Sequence, residues 1–346
     1  MLDTIKNALR NPKFYLYLIL GIFILAISGF MSVLWLDTVK GGPMGRGDKK
    51  VEFIINPGEG STEIIRRLKR NKLIRSSYYF QLLLKFTGNA RNLKQGIYSL
   101  DDSMDAQKIL SVLVAGKVKL RSFTVPEGYN NRQIGDLLVK KNIAESRDEF
   151  LQAASDKEIL EKFKIPATTS EGYLFPDTYW VPYHYKARDI VQLMIRSFIR
   201  NLKKIPTAKG FSPEERHKRV ILASIVEREA QRDEERPMMA GVFLKRVEKG
   251  MRLESCATVQ YLFDKPKKRL FEIHLKKESP YNTYLHSGYP PGPISNPGFA
   301  SLKAAYEPID SGNLFFLLKP DGSHYFSQTL TEHIKAKKKY IDSKYK

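Results

Sequence analysis

Cysteine is almost absent from this chain of 346 residues: Cys256 stands alone, so no intrachain disulfide can form. A disulfide-stapled fold is excluded, although an exported location is not. Cys256 reads as a small buried residue. Metal patterns are lacking too: the six histidines form no HExxH or paired-ligand spacing, so no metal is expected. There is no GxSxG, no phosphate-cradling glycine loop and no dinucleotide fingerprint, and so no cofactor is expected. Acid is scarce relative to base. Thirty-seven Asp and Glu face 58 Lys and Arg, a formal net charge of +21. Such an excess favours an anionic partner. No RNP, zinc-finger or basic-zipper pattern points to nucleic acid, which leaves an anionic membrane or cell wall.

Long apolar runs are also rare, with one exception. Residues 14–36, FYLYLILGIFILAISGFMSVLWL, carry no charge. At 1.5 Å per residue the run spans about 34 Å as a helix, enough for a bilayer core. It is longer than the apolar part of a signal peptide and lacks a clean small-residue exit, so it reads as a retained anchor. Lys6, Arg10 and Lys13 precede it and only Lys40 follows closely, which leans toward a cytoplasmic N-terminus. The remaining residues then lie on the outer side of the plasma (inner) membrane.

The expected fold class is α+β: a cytoplasmic tail (1–13), a transmembrane helix (14–36), a Gly-rich linker (37–49), a small α+β module (50–120) and a mixed α/β domain (121–346). An internal near-repeat with an offset of seventy positions crosses the last boundary. Phe53, Ile55, Gly58, Ile64, Leu68 and Leu73 recur as Phe123, Val125, Gly128, Ile134, Leu138 and Ile143. Each copy reads as strand, turn and amphipathic helix. Ser61 or Thr62 is the expected cap of the first helix. GIYSL (96–100) reads as a strand, and Asp105 opens a helix stopped at Gly116.

ASIVEREAQ (223–231) places two glutamates at the end of an apolar run. Ser212, Pro213 and Glu215 form a capping-box start for this helix. With Val220 at 0° and 100° per residue, Ile221, Ile225, Leu222 and Val226 centre near about 170°. Glu229 falls at about 180°, inside the stripe, and Glu227 at about 340°, away from it. A carboxyl group held against apolar neighbours resists ionisation, as a general acid must. Pairing of Glu229 with Arg232 or Arg236 is the alternative.

SPYNTYLHSGYPPGPISNPG (279–298) is too dense in proline and glycine for a helix or a central strand. Its Tyr, Asn, Thr and Ser suit sugar contacts, on a loop that prolines stiffen.

LASIVEREA, VFLKRVEKGMRLES, SPYNTYLHSGYPPGPISNPGFASLKAA and LFFLLKPDGSHYFSQTLTEH together resemble the endolytic murein transglycosylases, the YceG-like family. The apolar anchor, EGYLFPDT and the block order match as well. The resemblance implies a single-pass membrane protein that cuts nascent peptidoglycan strands, with a LysM-like module at 50–120. It implies Glu229 as the catalytic acid and 1,6-anhydromuramic ends as product. Tyr281, Asn282, Thr283, Ser295 and Asn296 are the expected sugar contacts, with Glu171 and Glu227 in support. Peptidoglycan synthases such as penicillin-binding proteins are the partners that the resemblance suggests. A hydrolase with a second carboxylate and a non-catalytic wall-binding scaffold are the competing readings. One departure is Ser255, Cys256, Ala257, Thr258, where many relatives read Ser-Asp-Pro-Thr.

Overall fold

The computed structural model describes residues 12–341. The expected cytoplasmic tail therefore lies, but for Pro12 and Lys13, outside the described residues. The chain divides into two compact units: one up to Arg121 together with 182–184, the other 122–181 and 185 onward.

In the first unit, helix α1 (Pro12–Leu36) contains the one stretch, Tyr15–Ser32, long and apolar enough to cross a membrane among the described residues. Strands β1 (Lys50–Ile55) and β2 (Gly96–Asp101) pair antiparallel, Lys50 opposite Asp101 and Ile55 opposite Gly96. Their inward residues Phe53, Ile55, Tyr98 and Leu100 pack on α2 (Ser61–Arg70), α3 (Ser77–Phe86) and α4 (Ala106–Ala115). Asp105 caps α4 through the Lys108 N–H, and Gly116 ends it at φ 69°. The cap of α2 differs from expectation. Gly60 occupies the cap position and Ser61 is already helical, so no side chain closes that end. The glycine-rich stretch before β1 is no free tether. The Met44 and Gly45 N–H groups donate to the Asp102 carbonyl at 2.9 and 2.7 Å, and the Gly47 N–H donates to the Asp102 carboxylate at 2.8 Å.

The second unit repeats the opening of the first. Strand β3 (Leu120–Thr124) leads to α5 (Asn131–Lys140), as β1 leads to α2. Gly58 and Gly128 both adopt φ 75°, and Lys72 and Asn142 adopt φ 58° and 54°. The buried positions coincide as well, from Phe53 and Phe123 to Leu73 and Ile143. After α6 (Arg147–Ala154) and α7 (Lys157–Lys162), β4 (Thr178–Pro182) pairs with β3. Helices α8 (Ala187–Leu202), α9 (Pro213–Glu229) and α10 (Arg236–Glu248) then form the centre. Short helices α11 (Cys256–Gln260) and α12 (Glu272–Leu275), helix α13 (Phe299–Tyr306), the hairpin β5 (Phe315–Leu318)–β6 (His324–Ser327) and α14 (Leu330–Tyr340) complete it. Helix α9 packs on α10, α11 and α13 and so lies at the centre of the unit.

Candidate active site

Helix α9 starts with the expected capping box. Ser212 Oγ accepts from the Glu215 N–H at 3.2 Å, and Glu215 Oε2 accepts from the Ser212 N–H at 2.8 Å. Every residue from Val220 to Val226 is buried. The helix is therefore enclosed on all sides and not on a single stripe. Glu229 is its last residue. Glu229 Oε1 accepts from Ser255 Oγ at 2.5 Å and from the Ala257 N–H at 3.3 Å. Burial pushes the Glu229 carboxyl above the usual carboxylate range. The Ser255 hydroxyl, the Ala257 N–H, His324 and Arg228 pull it back only in part. The outcome is a carboxyl group that favours its proton while one oxygen is fixed in direction.

What holds Ser255 is the YNTY stretch. The Ser255 N–H donates to Thr283 Oγ1 at 3.1 Å, and Thr283 Oγ1 lies 2.9 Å from Thr258 Oγ1. Thr258 Oγ1 donates in turn to the Ser255 carbonyl at 2.8 Å. Asn282 Nδ2 donates to the carbonyls of Leu275 and Lys277, each at 2.8 Å, and ties the stretch to α12. Asn282 and Thr283 are buried, with their polar atoms spent on the protein. The expectation that they touch sugar is therefore revised: in this structure Thr283 braces Ser255, the donor to Glu229, and Asn282 ties the loop to α12. Tyr281 is half-buried, its ring centroid 5.1 Å from that of Tyr261.

Ser295 and Asn296 also lie inside. The Ile294 N–H donates to Ser224 Oγ and Ser295 Oγ donates to the Ser224 carbonyl, both at 3.0 Å, which pins the proline-rich loop to α9. Asn296 Oδ1 accepts from the Leu174 N–H at 2.8 Å. Its Nδ2 donates to the Tyr129 carbonyl at 3.0 Å and to Glu171 Oε1 at 3.1 Å. Both Glu171 oxygens accept from the Asn131 N–H at 3.1 Å, and Oε2 accepts from Tyr261 OH at 3.2 Å. Burial outweighs these donors and the nearby Arg132, and lifts Glu171 to about 7. Gly172 lets this turn pass under the loop. It has φ 85°, and a Cβ there would meet Pro293 at 2.5 Å. Helix α11 thus separates two perturbed carboxyl groups: Ala257 at its start meets Glu229, and Tyr261 just past its end meets Glu171.

Glu227 does not point away, as the single-stripe wheel implies. Its side chain is only 6% exposed, faces Arg236 at 3.5 Å and accepts from the Gly298 N–H at 2.9 Å. A helix covered all round has no outer face at that level. Arg236 is therefore paired with Glu227 and Asp233, and not with Glu229. Cys256 also departs from expectation: it is exposed, at the first position of α11, with Sγ 3.1 Å from Tyr284 OH.

Two groups at this end of the unit escaped the sequence reading. His324 Nδ1 lies 2.6 Å from Glu235 Oε2, and the His324 N–H donates to Glu235 Oε1 at 2.8 Å. The pair is buried, and His324 draws on the Glu229 carboxyl electrostatically. The GSHYFS block was the available signal, but no spacing rule links it to residue 229. Among the described residues no group of three or more His, Cys, Asp or Glu is placed to hold a metal ion.

The chain as a whole resembles known proteins. The model of the YceG-like family matches residues 53–339. An endolytic murein transglycosylase of Bacillus subtilis (strain 168) is 34% identical over 320 residues, covering 86% of this chain and 87% of the relative. One from Streptococcus pneumoniae serotype 2 is 27% identical over 334 residues, 87% of this chain and 60% of the longer relative. A 2.6 Å crystal structure of a yceG-like protein from Listeria monocytogenes superposes with a TM-score of 0.56 at 32% identity, covering 83% of this chain and 99% of that one. With nearly the whole described chain spanned by one family model and by these relatives, the protein belongs to the YceG-like family.

Proposed function

We propose that this protein is a membrane-anchored endolytic murein transglycosylase, a lyase that cuts the glycan strands of nascent peptidoglycan with Glu229 as its acid. The observation that carries the reading is the buried, proton-retaining Glu229 carboxyl at the end of α9, oriented by Ser255. In the reaction, Glu229 gives its proton to the glycosidic oxygen between N-acetylmuramic acid and N-acetylglucosamine. The bond to the muramic anomeric carbon breaks through an oxocarbenium-like transition state. The Glu229 carboxylate then takes the proton of the muramic 6-hydroxyl as that oxygen closes on the anomeric carbon. No water enters, and the strand ends in 1,6-anhydromuramic acid. His324, held by Glu235, favours the carboxylate formed between the two steps. The neutral state needed first comes from burial and the charged state needed second from these neighbours, so one residue serves both.

Glu171 and Glu227 do not support a two-carboxylate hydrolase, since each is buried in protein contacts. Tyr281, half-buried next to the brace, is the aromatic best placed to meet a sugar ring. Helix α1 serves as the anchor, with the N-terminus in the cytoplasm and the catalytic unit outside. Its length and the basic residues before it support this orientation. The strand–helix module of the first unit acts as a LysM-like wall-binding element, and synthases that elongate glycan strands are the fitting partners for an enzyme that ends them. Replacement of Glu229 by Gln in the purified full chain tests the assignment: cleavage falls by about 10²–10⁴-fold if Glu229 is the acid. Retention of wild-type cleavage would falsify it.

A further inference from the structure

The N-terminal half of α9 borders a cavity, far from its Glu229 end. Val220 lies in its wall and Glu229 nine residues later, about 13 Å along the helix axis. The cavity holds about 320 Å³, within the range of small-molecule sites. Its wall is apolar: Phe163 and Ile165 after α7, Phe198 and Leu202 of α8, and Tyr306 at the end of α13. Its rim is cationic: Lys164, Lys203, Lys209 and Arg216 border it, and all four are exposed. No acidic residue lines it, and none of the four cations has an ion pair among the described residues. Tyr306 adds a second, independent oddity. The residue is 4% exposed, and its hydroxyl has no hydrogen-bond partner. A buried hydroxyl without a partner costs about 1–3 kcal/mol, so one is rarely left idle. The neighbouring Tyr173 hydroxyl, by contrast, is bound to His217 Nδ1 at 2.8 Å.

We propose that this cavity binds an anionic membrane phospholipid: one acyl chain lies against Phe163, Phe198 and Leu202, and the phosphate rests among Lys164, Lys203, Lys209 and Arg216. An apolar throat with unpaired cations confined to its rim is complementary to a chain that carries one anionic end. Neither a sugar strand nor free phosphate matches it, because the first would leave its many hydroxyls without polar partners against the apolar wall and the second would leave the wall empty. A lipid ester oxygen gives the Tyr306 hydroxyl the acceptor it lacks. The chain carries a helix of membrane-spanning length, so such a lipid is always at hand. The site is independent of the glycan chemistry at Glu229.

The test uses the full chain in phosphatidylcholine vesicles doped with a phosphatidic acid that bears a photoreactive diazirine in one acyl chain. After illumination, adducts are mapped by peptide mass spectrometry. Labelling of 163–166 and 195–209 is expected. It falls at least tenfold in the K203E/K209E double variant, whose substituted side chains are exposed and whose thermal melt stays that of the wild type. The matched phosphatidylcholine probe gives at least tenfold less labelling of these segments. A second variant, Ile199→Trp at a position of α8 that also lines the cavity, fills the throat, leaves the cations in place and lowers labelling as well. Adducts confined to 14–36, equal labelling by both probes, or labelling indifferent to both variants would each overturn the proposal.

Discussion

Ser255 acts on the proposed acid, Glu229, through one hydrogen bond. Its hydroxyl donates to Glu229 Oε1 and so favours the ionised form. Removing it in Ser255→Ala raises the Glu229 pKa further. The acid must be protonated to act, so activity is lost as pH rises through that pKa. The alkaline limb of the rate profile therefore moves to higher pH in the variant, while the maximal rate drops because the carboxyl is no longer aimed. A limb that stays in place would mean that another group sets it. Glu171 gives a separate signal, in stability. Its folded pKa of about 7 lies above the 4.5 of a free glutamate, so the folded chain holds a proton that the unfolded chain has released between those pH values. Stability therefore falls as pH rises from 4.5 to 7, by roughly 3 kcal/mol from this group. The decline is expected to shrink by that amount in Glu171→Gln, measured by denaturant unfolding across the window. Of the two glutamates on α9, the sequence pointed to Glu229 for an incomplete reason. The wheel found an apolar stripe beneath it but assumed an open face for Glu227, and contacts from the distant residues Arg236 and Gly298 closed that face.

At the scale of elements, the local signals were readable and the long-range braces were not. The capping box at Ser212, the stop at Gly116 and the seventy-residue repeat all follow from short-range rules of turn and helix chemistry. The YNTY and PPGPISNPG stretches were legible as rigid loops. Their polar residues looked like ligand contacts because composition cannot tell a side chain that faces solvent from one that satisfies buried backbone. Thr283 holds Ser255 from 28 residues away, and Asn296 holds the Leu174 N–H from 122 residues away. Such partners follow from the fold, not from spacing. Close packing between elements makes its own prediction at Gly241 in α10, where a Cβ would fall 2.0 Å from the Ile309 carbonyl oxygen. Backbone cannot yield as a side-chain tip can. Gly241→Ala is expected to cost about 1–3 kcal/mol or more, seen as a lower melting temperature. An unchanged melt would mean that α10 and the 309 segment are not packed this closely.

At the scale of the whole molecule, one apolar helix, an excess of basic residues and the Glu229 carboxyl fit the proposed account of an enzyme tethered where glycan strands are made. The proposed anchor is separable from the proposed chemistry. A chain beginning at residue 50 is expected to appear in the soluble fraction of lysed cells, whereas the full chain stays with membranes after carbonate washing. Release of the full chain by that wash would contradict an integral span. Charge and hydropathy are what raise this expectation in the sequence, because both are properties of composition. The reaction itself needed the family, since no residue pattern separates internal capture by a 6-hydroxyl from attack by water. The measurement that bears most directly on the central claim is mass spectrometry of uncross-linked nascent glycan digested by the full chain and by its Glu229→Gln variant. The account predicts wild-type fragments one water lighter than hydrolytic ones and no cleavage above background by the variant. Fragments of hydrolytic mass, or cleavage that survives the substitution, would contradict it.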